Sequence, residues 1–374
     1  MPYIEINGVK EWRNTTLDDF RRIIIEKPTI NFGSKLPKGQ KGSQSLEKQY
    51  EGLFEAVTTL VKAVFEKELG DGITWTRRFS NEFCRYLQLI ARNDLNATGK
   101  DRDCLFDHPE KRCYVVVAMV MRVLEKNVLS SLLFGSDSSH LAHLDCLDHK
   151  ENNGVFAKST MIADANLDYL SRYVDLQPPK FWHEARRVTS QIFTLLLPLF
   201  NVVQRHTPRD ADLHDLAQGV YSAVVHAAWL NVQVRTARGI VTYTWVMPGE
   251  HNEDDQINLS PTLYATSCAL AKDVPAARSA GEGRARVLYS VVPKVVHFEL
   301  KSGQDEHYYS RTLLRSRVVY YAGLADPAED AQSLDPDFGL AFERLEKPLF
   351  IKALPALLVL IALDMSDGDF TFLS

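Results

Sequence analysis

Between residues 46 and 65 the apolar positions of this chain recur at intervals of three and four, through Leu46, Tyr50, Leu53, Phe54, Val57, Leu60, Val61, Val64 and Phe65. That spacing lines them along one face of an α-helix and leaves the polar residues between them on the other. An apolar face of this width must be covered, and the usual cover for one amphipathic helix is another. The stretch therefore commits the chain to helix-on-helix packing. Gly70, with Gly72 just beyond, reads as the stop.

The same grammar repeats downstream. Phe79, Phe83, Leu87 and Ile90 predict a second helix, closed by the polar run NDLNATGKDRD. Residues 114–121 are apolar all round and continue amphipathically through Leu124, Val128 and Leu132, which places them at the centre of a helical core. Their β-branched side chains would also suit a strand, but the extension to Phe134 favours helix. A further helix is predicted over residues 157–174, stopped by QPPK, and a long apolar stripe over 181–203 is interrupted by Pro198, which should kink or divide it. Thr207-Pro208-Arg209-Asp210 reads as the entrance of a helix buried through Leu213, Leu216, Val220, Val224, Ala227 and Ala228.

Near residue 236 the period changes to two. Val241, Tyr243 and Trp245 alternate with Thr242 and Thr244, which is strand patterning, and residues 286–300 and 315–321 read the same way, with Pro293 limiting any continuous ladder. Ser260-Pro261 is placed to cap a short helix between them. The fold class expected is mainly α, a helical domain over 46–235 followed by a smaller α+β portion over 236–374. Residues 1–45 are read as a flexible arm and linker, because FGSKLPKGQKGSQS offers little to bury.

A chain of 374 residues with 45% hydrophobic content can fill substantial cores, and a formal charge of -5 gives no general attraction to phosphate or to an anionic membrane. Five cysteines at irregular spacings do not resemble a disulfide framework, and MPYIEINGVKEW has neither the basic start nor the apolar run of an export signal. An intracellular setting, cytoplasmic or nuclear, is expected. The apolar segment PLFIKALPALLVLIAL near the end is continuous only from Ala353 to Leu363, short of the roughly 20 residues that span a bilayer. It reads as a buried or interface helix, and no membrane span is expected.

The densest chemistry lies in two clusters, Cys104-Leu-Phe-Asp-His108-Pro-Glu-Lys-Arg-Cys113 and His140-Leu-Ala-His143-Leu-Asp-Cys146-Leu-Asp-His149. Sulfur and imidazole are the ligands that zinc prefers, so Cys104, His108, Cys113, His140, His143, Cys146 and His149 form the candidate metal pool and zinc the candidate cofactor. Neither cluster has a CxxC pair, and three-residue steps on a helix rotate successive side chains by about 60 degrees, so not all of the second cluster can converge.

Other chemistry is thinner. There is no HExxH, no GxSxG and no glycine-rich phosphate loop, and Ser45 with Lys48 reads as a helix cap rather than a nucleophile and its base. His251, Glu253, Asp254 and Asp255 form an acidic loop, and Asp364, Asp367 and Asp369 lack the distal glutamate of a calcium loop. For nucleic acid, Lys35, Lys38, Lys41, Arg278, Arg284, Arg286, Arg311, Arg315 and Arg317 could neutralise phosphate while Tyr308, Tyr309, Tyr320 and Tyr321 stack on bases. Trp182 with His183, and His226 with Trp229, could line a ligand cavity or be satisfied core and interface groups.

The function expected is an intracellular helical scaffold or regulatory protein-interaction module with a protein partner, and no catalytic residue is assigned. The alternatives are a zinc-dependent enzyme built on residues 104–149, with Asp145, Asp148 or Glu253 as acid-base groups, and a nucleic-acid-associated regulator.

Overall fold

The computed structural model describes residues 3–6, 9–12, 14–30, 40–70, 73, 83, 87, 90–91, 106–149, 154–207, 212–250, 255–272, 285–300 and 308–322. The hydrophobic segment 348–363 lies outside them, as do Cys104, the loop at His251, and Arg278 and Arg284. The chain is mainly helical, with a smaller mixed sheet region after the helices. No helix among the described residues is long and apolar enough to cross a membrane.

A short hairpin of β1 (Tyr3–Ile6) and β2 (Val9–Trp12) is followed by a single helical turn, α1 (Leu17–Arg21). The long helices are α2 (Gln40–Phe65), α3 (Pro109–Leu124), α4 (Ser138–Asp148), α5 (Val155–Leu170), α6 (Phe181–His206) and α7 (Leu213–Thr236). The all-apolar face of α3 is buried on every side, from Cys113 through Met121, and α2 packs against both α3 and α7. At about 1.5–3 kcal/mol for each fully buried aliphatic side chain, this central helix is a large contributor to the core.

Buried Arg112 explains where α2 stops. Its Nε donates to the Phe65 carbonyl at 2.9 Å, and its terminal nitrogens donate to the carbonyls of Lys67 and Phe106. The last carbonyls of a helix lack partners in their own helix, and a guanidinium with five donors satisfies several at once. The helix therefore ends at Phe65, ahead of the glycine at position 70.

Helix α6 runs undivided through Pro198, so of the kink or division expected from the sequence the division does not occur. Proline costs a helix interior about 3 kcal/mol. Phe193, Leu196, Leu199 and Phe200, all essentially buried around it, return more than that when the helix continues. The entrance of α7 also differs from the predicted one, since Thr207 closes α6 and the cap of α7 is Asp212, whose carboxylate accepts the His214 amide at 2.7 Å.

After α7 come β3 (Ile240–Thr244), β4 (Ile257–Asn258) and α8 (Pro261–Lys272), with the Ser260 hydroxyl accepting the Leu263 amide at 3.2 Å as its cap. Then β5 (Ala285–Val292) and β6 (Lys294–Leu300) pair antiparallel with β8 (Arg317–Ala322) and β7 (Tyr308–Leu314). Together these make one long ribbon, bent where Pro293 and the Arg315–Ser316 step interrupt the ladder. One half gains β3 alongside β6, the other gains β4 parallel to β8. A skipped register position at Leu313 is a β-bulge, which lets neighbouring Leu313 and Leu314 both be buried.

The ribbon is fastened to the helices. Tyr289, Val291 and Val319 belong to the same core cluster as α2 and α3. The hydroxyls of Tyr50 on α2 and Tyr243 on β3 meet at 2.7 Å, and burial pushes the Tyr243 phenol up to about 12. On the N-terminal side, residues 14–30, read from the sequence as part of an arm, lie against α6 and α7. Phe20 is buried there, and Leu17, Ile23, Ile25 and Ile30 pack partly buried on the core.

Candidate functional site

The histidine-rich segment forms α4, capped by Asp137, whose carboxylate accepts the His140 amide at 2.8 Å and the Ser139 hydroxyl at 2.6 Å. The Tyr169 hydroxyl on α5 donates to the same carboxylate at 2.6 Å. These donors, Ser139 first, hold Asp137 well below the usual carboxylate range. Burial, and then the bond to Asp137, push the Tyr169 phenol up, so it stays a neutral donor.

His140 is packed by this arrangement. Its ring stacks on Tyr169 with centroids 3.9 Å apart, and its Nε2 lies 2.9 Å from Asn166 Oδ1. The Asn166 amide nitrogen donates to the carbonyls of Leu132 at 3.3 Å and Arg235 at 2.9 Å, so Oδ1 is its acceptor and His140 Nε2 carries the proton. Asn231 on α7 works in the same way. It accepts the Phe134 amide at 2.9 Å and donates to the carbonyls of Leu129 at 3.1 Å and Ser131 at 2.8 Å. Arg235 adds bonds to the carbonyls of Ser131 and Ser130 at 2.8 and 3.1 Å.

These side chains surround residues 130–137, a bend in the chain that follows a wide helical turn over Glu125–Leu129 and precedes α4. Much of the bend is buried, and buried backbone must find partners. Asn166, Asn231 and Arg235 supply them from helices that lie far away in sequence. Sequence reasoning missed all three, although an amide inside an apolar helical run, as in Leu230-Asn231-Val232, is a signal for such a role.

The zinc expectation is corrected here. Among the described residues no group of three or more His, Cys, Asp or Glu side chains could hold a metal ion. Helix α4 turns His140, Leu144 and Leu147 inward and leaves His143, Cys146 and His149 exposed on other faces. His149 Nδ1 sits 2.9 Å from the Asp145 carbonyl, an arrangement that raises its pKa. His108 precedes α3 at its N-cap, and Cys113 is buried inside α3, where desolvation lifts its thiol to about 12. A thiol held that far from ionisation is a poor ligand. Cys104, the remaining member of the pool, lies outside the described residues.

Several of the basic and aromatic residues of the ribbon are tied to other parts of the fold. Arg311 pairs with Glu47 of α2 at 2.6 Å, while Arg317 pairs with Glu51 and stacks over Phe54 with 4.3 Å to the ring centroid. Arg286 is buried and donates to the Gly249 carbonyl at 3.1 Å, and Tyr320 is buried with its hydroxyl 2.7 Å from Gln256 Oε1. Arg315 is exposed. Of the cavity candidates, His226 Nε2 meets Gln49 Oε1 at 3.1 Å and Trp182 Nε1 donates to Gln177 Oε1 at 3.2 Å, so these two side chains join elements of the fold. His183 is exposed beside Glu184, and the Trp229 indole N–H is buried without a hydrogen-bond partner among the described residues.

Among the described residues, β7 is one of the two outer strands of the order β3-β6-β7, and Tyr309, 59% exposed, Ser310 and Thr312 show on its surface. No family model, curated protein or solved structure matches this chain. What it does must be argued from its own side chains.

Proposed function

We propose that this chain is a scaffold or regulatory protein-interaction module, and that it takes up a protein partner along β7. The observation that carries the reading is the chemistry of that edge. An outer strand presents unpaired amides and carbonyls to any extended segment, and edges not meant for pairing are blunted by lysine, proline or inward charge. In β7, Tyr308-Tyr-Ser-Arg-Thr-Leu-Leu314, the one charged side chain, Arg311, is tied to Glu47, and the exposed positions Tyr309, Ser310 and Thr312 are uncharged. Main-chain bonding would supply affinity there, and the alternate side chains specificity. The free thiols of Cys113, Cys146 and Cys268 support a reducing, intracellular setting, cytoplasmic or nuclear.

The test is quantitative affinity capture of the tagged full chain from its own cells, against a Tyr309→Lys/Thr312→Lys variant. A protein recovered in near-stoichiometric amount with wild type and lost with a variant of unchanged melting temperature supports the reading. Recovery of nothing, or of the same proteins at equal yield with both chains, refutes it.

A further inference from the structure

The way residues 14–30 are attached suggests a second binding surface. Asn201 on α6 accepts the Thr15 amide on its Oδ1 at 2.7 Å and donates its Nδ2 to the Thr15 carbonyl at 3.0 Å. Gln218 on α7 does the same to Glu26, accepting its amide at 2.8 Å and donating to its carbonyl at 3.1 Å. Each clamp reads both backbone groups of one residue and ignores its side chain. This is how a β-strand neighbour would bond, supplied here by an amide side chain.

Between the clamps a single side chain is read in depth. Phe20 is 4% exposed and stacks on Phe193 of α6, with centroids 4.4 Å apart at 19°. The Thr15 hydroxyl donates to buried Gln204 Oε1 at 2.9 Å, and the Lys27 ammonium sits 5.6 Å above the Trp182 ring. Thr15 thus lies at the C-terminal part of α6 and Lys27 at its start, so the segment runs antiparallel along about 28 Å of helix, at 1.5 Å per residue. Backbone clamps at either end, and between them one aromatic pocket filled from the helical turn α1, are the parts of a site for a short peptide.

We propose that the groove along α6 and α7 is a receptor site for a partner's short segment that presents one aromatic anchor on a helical turn, with residues 14–30 as a tethered occupant that such a segment displaces. The proposal rests on the reading of this chain as an interaction module, but uses a surface separate from β7. A tethered occupant competes at an effective concentration on the order of millimolar. The groove therefore opens only to a partner that is abundant or better matched, which makes residues 14–30 a threshold on binding.

The experiment uses the full-length chain and a fluorescein-labelled peptide of residues 14–30, read by anisotropy. A Phe20→Ala chain, its own segment weakened, binds the peptide at least ten-fold more tightly than wild type does. Adding Asn201→Ala and Gln218→Ala to that chain removes the gain, and a peptide with Phe20 replaced by alanine does not bind. Glu26→Pro is the second weakened chain, since it deletes the N–H that Gln218 accepts and leaves Phe20 in place. Wild type is also followed by hydrogen exchange, where saturating peptide exposes the tethered residues 14–30.

Failure of the peptide to bind either weakened chain while both melt cooperatively, with no exposure of residues 14–30 in wild type, overturns the proposal. So does binding indifferent to Asn201 and Gln218. A wild-type dimer seen by light scattering and lost on Phe20→Ala assigns the groove to a second copy of this chain and overturns the partner reading. None of these results depends on Tyr309 or Thr312, so the groove and the β7 edge can fail separately.

Discussion

Two stretches of irregular backbone, residues 130–137 in the interior and residues 14–30 on the flank of α6, are held by the same chemistry and sealed differently. In the first, Asn166 and Asn231 grip backbone amides and carbonyls from positions that are 0% and 1% exposed. In the second, Gln218 grips Glu26 in an exposed setting and Asn201 grips Thr15 in a half-buried one. Water can replace the second kind of bond, whereas the Asn231 bonds to Phe134 and Leu129 in the first are buried. Net hydrogen-bond energies of about 0.5–1.5 kcal/mol apply to the exposed clamp, whereas a buried group stripped of its partner loses its solvation as well. The same amide grip is therefore architecture in one place and an exchangeable fastening in the other.

The strongest way to break that comparison is Asn231→Ala. It strips the Phe134 amide and the Leu129 carbonyl of the partner shown here, and leaves Ser131 with Arg235 alone. At about 1–3 kcal/mol for each stranded buried group, the expected loss of global stability is about 3–4 kcal/mol, measured by denaturant titration. A loss under about 1 kcal/mol would show that the bend relaxes or takes up water, and that the two grips are alike after all.

Phe20→Ala should act on a smaller unit. In a closed core such a truncation costs roughly 3–5 kcal/mol, but here detachment of residues 14–30 caps the global loss below that. Exchange and proteolysis in residues 14–30 should accelerate at least ten-fold while the rest of the chain keeps its protection. Acceleration spread evenly over α6 and α7 would instead make Phe20 an ordinary core residue.

The contrast also marks what could be read from the chain. The three-and-four spacing from Leu46 to Phe65 was enough for α2, because one helix face is a local property of sequence. The alternation at Val241, Tyr243 and Trp245 likewise gave β3, and Pro293 gave the break in the ribbon. The candidate site was not local. His140 looked like a ligand because its neighbours in sequence are histidine and cysteine, whereas its surroundings are Asn166 and Tyr169, which arrive on another helix. Arg311 and Arg317 looked outward until Glu47 and Glu51 were placed across from them. Residues 14–30 were read together with the Gly- and Lys-rich stretch that follows, which hid the apolar spacing of Phe20, Ile23 and Ile25.

Gln218→Ala removes the exposed clamp and nothing in the core. The expected effect is about 1 kcal/mol on local opening around Glu26, visible as roughly five-fold faster amide exchange there, with no measurable change in global unfolding. A global loss equal to that of Asn231→Ala would erase the distinction between sealed and unsealed grips.

Acid gives the gentlest test, because it reaches the interior grip through a titrating neighbour, whereas the Gln218 clamp bonds the backbone of Glu26 and not its carboxylate. Asp137, which caps α4 beside the Asn166–His140 pair, is held below its ordinary value of 3.8 by the Ser139 and Tyr169 hydroxyls and the His140 amide. The folded chain binds this proton less readily than the unfolded one. Its contribution is thus full above the ordinary value and is lost as the pH falls through the depressed one. Between about pH 5 and about pH 3, protection of the His140 amide, corrected for intrinsic exchange, should begin to fall while that of the Glu26 amide holds. Asp137→Asn should flatten the first response, since it leaves no carboxylate to protonate. If both amides fade together in wild type and variant alike, the acid response belongs to the whole fold, and the interior bend and the flanking segment open as one unit.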